Sequence, residues 1–133
     1  MNEENIKKAF VRAFEKLLSE SHAMLDDCRL MYDVLSDTKD IDAECDGLTS
    51  EMNSLAALMD KLIAENSFSA MDQTEYHEKY GEYEDRFTAA QKRFDELQKQ
   101  KEVRFAEAQE IKRFSDLMTF RKTHVLKRDI SLL

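Results

Sequence analysis

Proline does not occur in this chain, and glycine occurs only twice, at Gly47 and Gly81. Strands and tight turns need that punctuation, so its scarcity leaves long helices as the default. Cysteine is equally sparse. Cys28 and Cys45 have a spacing that matches no zinc pattern, and each falls on an apolar stripe, where it reads as a small buried hydrophobe in a reducing compartment. No run approaches the roughly 18 apolar residues that a membrane helix requires, and the N-terminal Met1-Asn2-Glu3-Glu4 is acidic. A membrane span and a signal peptide are therefore not expected, and the chain reads as cytoplasmic.

Motifs for chemistry are missing as well. The residues three positions before His22, His77 and His124 are Ser19, Thr74 and Arg121, so the Glu-x-x-His pairs of a carboxylate-bridged metal bundle are absent. His-Glu-x-x-His, a glycine-rich phosphate loop and Gly-x-Ser-x-Gly do not occur. A helical chain of 133 residues can bury a modest core but offers little of the concave wall a substrate needs. No catalytic residue, cofactor, metal or small-molecule substrate is expected.

Charge of one sign dominates most of the chain. Residues 1–120 carry 16 Lys and Arg against 27 Asp and Glu, whereas residues 121–133 carry four basic residues and one acid. Nucleic-acid affinity comes from clustered cations that release counterions, so a body of net charge −11 repels phosphate.

What the chain does have is an apolar seam written twice. The first copy is Ile41, Cys45, Leu48, Met52, Leu55, Met59 and Leu62; the second is Tyr76, Tyr80, Tyr83, Phe87, Ala90, Phe94 and Leu97. Both alternate spacings of four and three, the rule that keeps one helix face turned toward a partner. The gap Ser67–Asp72 is short enough to return the second helix along the first. Asp72 and Glu75 have the spacing of a capping box at the restart. The aromatic members of the second copy could stack on bases, but their place on the seam favours packing against the facing helix.

A first helix over about residues 3–35, with Asn2 as its N-cap, carries the stripe Phe10, Phe14, Leu17, Ser21, Met24, Cys28, Met31 and Leu35. The second helix is expected over about 40–65 and the third over about 72–120. Beyond Leu97 the seam turns polar at Lys101 and Arg104, as it should where the second helix runs out. Apolar residues return at Phe105, Ala108, Ile111, Phe114, Leu117 and Met118, which need the first helix as partner. The expected fold is all-α. A long antiparallel coiled-coil helical hairpin, about 40 Å in its paired part, has the N-terminal helix packing at its base. Residues 1–120 form one domain and residues 121–133 a basic tail.

The stretch from Ile63 to Tyr80, with Ile63-Ala64-Glu65-Asn66 leading into Ala70-Met71-Asp72-Gln73-Thr74-Glu75-Tyr76 and then Tyr80, resembles the coiled-coil segment of large serine recombinases, the phage integrases and transposon recombinases. Upstream, Lys8–Leu18 is similar to the helix that follows that family's zinc-ribbon motif, and Phe87–Phe114 is similar to the returning coiled-coil helix. The resemblance covers residues 3–118. It departs at the end, where Arg121–Arg128 does not match the family's acidic segment with its tryptophan. The family's catalytic domain and zinc-binding cysteines have no counterpart here, which implies an excised fragment or a truncated remnant that does not cut DNA by itself.

The resemblance implies a non-catalytic interaction module in which the tip of the arm meets another recombinase subunit and helps control synapsis and the direction of recombination. The contact residues would be Asn66, Ser67, Phe68, Ser69, Ala70 and Met71, with DNA engaged only through domains outside this chain. Read without the family, Phe68 and Met71 are either an exposed handle for another protein or an inward staple of the turn. The heptads suit equally a generic coiled-coil scaffold or adaptor that self-associates through the first helix.

Overall fold

The structure, a computed structural model, describes residues 2–69 and 71–132, with side chains up to residue 124. Among the described residues the chain is all-α and contains no strand: α1 is Glu3–Ser36, α2 is Lys39–Phe68 and α3 is Gln73–Leu132. No helix is long and apolar enough to cross a membrane. The chain has no proline, and among the described residues no φ is positive; the helices are separated by residues 37–38 and 69–72. The third helix runs on through the stretch read as a basic tail. Asn2 does occupy the N-cap position of α1, but its side chain makes no capping bond. Its carbonyl instead accepts from the N–H groups of Asn5 and Ile6 at 3.0 and 3.3 Å.

The chain divides into two compact units, one comprising Thr38–Val103 and the other α1 with the part of α3 from Arg104 onward. In the Thr38–Val103 unit all fourteen seam residues are buried or half-buried. Leu55 and Leu97 are each 1% exposed, and Ile41, Cys45 and Leu97 form a buried cluster against which Leu48 and Phe94 pack. Isolated helices of this composition are marginal in water, so this packing is what holds α2 and α3 in place.

Polar pairs flank the seam. Arg93 grips Glu44 with two bonds, Nε to Oε1 at 2.8 Å and Nη2 to Oε2 at 3.3 Å. Lys101 on α3 donates to Oδ1 of Asp42, in the first turn of α2, at 2.6 Å. Thr38, at the N-cap of α2, gives its hydroxyl to Asp42 Oδ2 at 3.0 Å. The Lys101 bond first, and the Thr38 bond after it, hold the Asp42 carboxyl below the ordinary aspartate value. The same bond raises Lys101, and the bond to Glu44 raises Arg93.

In the unit built from α1 and late α3, the stripe differs from the expected one at alternate positions. Phe14, Ser21, Cys28 and Leu35 do turn inward, but Leu18, Leu25 and Tyr32 accompany them, while Phe10, Leu17, Met24 and Met31 are exposed. The physical reason is that α1 is apolar at both the third and the fourth residue after each anchor, so either set satisfies the spacing. On α3 the unbroken four-three series continues through Arg104, Ala108, Ile111, Ser115, Met118 and Lys122, which leaves Phe105, Phe114 and Leu117 exposed instead of packed. Arg104 gives a long bond of 3.5 Å to the carbonyl of Asp37.

Candidate functional site

The segment singled out by the sequence is the connection from α2 to α3. The second helix extends three residues past the expected end, so Asn66, Ser67 and Phe68 form its last turn. Ser69 then adopts extended backbone, φ −136° and ψ 122°, while its N–H still donates to the Glu65 carbonyl at 3.0 Å. Ala70 lies outside the described residues.

The restart is built on Asp72. Its Oδ1 accepts the N–H of Thr74 at 3.0 Å and its carbonyl accepts the N–H of Tyr76 at 2.9 Å. The expected capping box is thus replaced by a bond one residue earlier. Glu75 turns away from the cap to pair with Lys79 at 3.2 Å, while keeping its negative charge in the first turn of α3.

Gln73 lies outside the expected contact residues, yet it joins them here. Its amide nitrogen donates to Asn66 Oδ1 at 3.2 Å and to the Met71 carbonyl at 3.3 Å, tying the last turn of α2 to the start of α3. Asn66 is therefore committed to this clamp. A glutamine seven residues after an asparagine is too common a pattern to announce it.

The two apolar residues behave differently. Met71 is half-buried, while Phe68 is 93% exposed, with its ring in water. Ser67 and Ser69 are exposed as well. The nearby charges are paired among themselves, Lys61 with Glu65 at 3.9 Å and Lys79 with Glu75. Just inside α3, Tyr76 and Tyr80 stack with ring centroids 6.1 Å apart and both are half-buried on the seam.

Among the described residues no three His, Cys, Asp or Glu side chains gather as metal ligands. The shifted titrating groups, Asp42, Arg93 and Lys101, belong to ion pairs at the other end of α2. Cys28 and Cys45 are buried free thiols. Of the histidines, His22 accepts from Lys122 Nζ at 2.8 Å, and His77 and His124 lie against Tyr76 and Phe120. Comparisons with protein-family models, with curated proteins and with solved structures each return no match to this chain.

Proposed function

We propose that this chain is a non-catalytic coiled-coil interaction module of a site-specific serine recombinase. In this reading Thr38–Val103 forms an antiparallel helical hairpin arm. Its tip, Asn66–Met71, meets another recombinase subunit, and those contacts control which DNA sites are synapsed and in which direction recombination runs. DNA is reached only through other domains. The observation that carries the reading is Phe68, an aromatic side chain held 93% exposed at the turn while every seam residue faces inward. Exposed aromatic rings are the anchors of protein contacts. The resemblance of Ile63–Tyr80 to the recombinase coiled coil supplies the partner.

Weak contacts suit this role, because subunits already held on DNA meet at high effective concentration and a small contact can decide the outcome. The test is a serine recombinase whose own arm is replaced by Thr38–Val103. Phe68→Asp with Met71→Asp is expected to abolish synapsis or its directional bias while DNA binding persists, and Phe68→Leu to retain part of both. Unchanged synapsis and direction in the double aspartate variant would sink the proposal.

A further inference from the structure

We infer that the unit formed by α1 and late α3 carries a second interaction surface, and that its occupant is a second copy of this chain seated in reverse orientation. This goes beyond the arm and its tip and does not depend on them.

The surface follows from the wide apolar arc of α1. One side of that arc packs on α3; the other is left open. Ile6, Phe10, Leu17, Met24, Met31 and Val34 fall on one four-three series, interrupted by Glu20 and Asp27, and each of the six is between 48% and 66% exposed. Late α3 borders the same side. Leu17 and Met24 share a groove of about 400 Å³ with Met118 and Arg121. Met31 and Val34 share another, about 560 Å³, with Glu107, Glu110 and Ile111. Positions 107, 110, 114, 117 and 121 form one helix stripe, so the exposed Phe114 and Leu117 lie on this side, between the two grooves.

Eight large side chains, each about half exposed, amount to several hundred Å² of apolar surface, close to the roughly 800 Å² per partner of a standard interface. A contiguous patch of that size marks a binding face.

Charge selects the occupant. The groove at one end is bordered by Glu107 and Glu110, and the groove at the other end by Arg121 and Lys122 with the single acid Glu20, which leaves that end net positive. Glu107, Glu110 and Arg121 make no ion pair among the described residues. Glu107 and Arg121 each lie seven residues from Phe114, and Leu17 and Met31 each lie seven from Met24. Reversing one copy against the other about a twofold axis near Met24 and Phe114 therefore lays apolar residue on apolar residue. It also sets the acidic end of each copy against Arg121 of the other. Such an isologous contact closes on itself as a four-helix assembly. A parallel copy would oppose like charges at both ends.

The test is sedimentation of the full chain, with helicity followed by circular dichroism. Wild type is expected to be a dimer at about 100 μM. Met24→Asp with Phe114→Asp should be monomeric with unchanged helicity, because both side chains are already about half in water. Arg121→Glu alone, and Glu107→Lys with Glu110→Lys, should each weaken association roughly tenfold. Their combination should restore it. Phe68→Asp should dimerise like wild type, which separates this surface from the proposed tip contact.

A monomeric wild type overturns the inference, as does one that instead captures a different protein on this face. So does a dimer that survives Met24→Asp with Phe114→Asp, one that Phe68→Asp abolishes, or a combined charge reversal weaker than its parts.

Discussion

Leu97 and Phe68 are large apolar side chains in opposite surroundings, one 1% and the other 93% exposed. Leu97→Ala removes a packed side chain from the cluster with Ile41 and Cys45 and should cost about 2–4 kcal/mol of stability. Phe68→Ala removes contacts with water only, and chemical denaturation should find it within about 0.5 kcal/mol of wild type. A cost above 1 kcal/mol for Phe68→Ala would mean that the ring staples the turn. At the same scale, Asp42 titrates below the ordinary aspartate value because Lys101 and Thr38 donate to it. A depressed carboxylate stabilises the fold above its unfolded pKa, and the contribution is lost as pH falls through the folded one. The window therefore lies on the acid side, below about pH 4. Lys101 is raised, so its own contribution is whole at neutral pH and fails only at strongly alkaline pH. Lys101→Gln should accordingly flatten the acid limb of the melting temperature against pH. An acid limb as steep as in wild type would show that the pair contributes nothing. Single polar partners were the least legible part of the sequence: Asp72 bonds Thr74 rather than Glu75, and Gln73 clamps Asn66. Several bonds of similar energy compete at a helix end, and spacing alone does not choose among them.

Among the elements, the doubled seam was legible, since all fourteen of its positions are buried or half-buried along α2 and early α3. The first helix was legible only as helix. Its anchors Phe14, Ser21, Cys28 and Leu35 were read correctly, but the choice of Leu18, Leu25 and Tyr32 between them is made by the partner surface and not by the period. The end of α2 lies three residues beyond the expected 65, because backbone bonding continues as far as the Ser69 N–H to the Glu65 carbonyl. The two glycines offer a test of the elements as helices. Gly47 and Gly81 both lie inside helices with ordinary φ, and a methyl group at either would meet no atom within 4 Å. Gly47→Ala and Gly81→Ala should each add about 0.5–1 kcal/mol to stability, and the pair should add nearly independently. Urea denaturation measures this directly. A loss of stability in either variant would show that the site is tighter or less regular than described.

For the molecule as a whole, the Thr38–Val103 unit buries its seam, whereas the unit of α1 and late α3 leaves a half-exposed apolar face. That contrast was hidden in the sequence, where Phe105, Phe114 and Leu117 looked like core on periodicity alone. A helix apolar on more than one side needs more than one partner, and a single helix neighbour covers one side only. The protein therefore exposes apolar side chains in two places, at the single ring of Phe68 and over a broad face on α1 and α3. The central claim concerns the first. It is tested most directly by placing a photo-crosslinking phenylalanine analogue at position 68 of an arm carried by a serine recombinase and irradiating the complex on paired DNA sites. The account predicts crosslinks from position 68 to the tip of another subunit, formed only when the sites are synapsed. Crosslinks confined to the same chain, or equally abundant without synapsis, would contradict it.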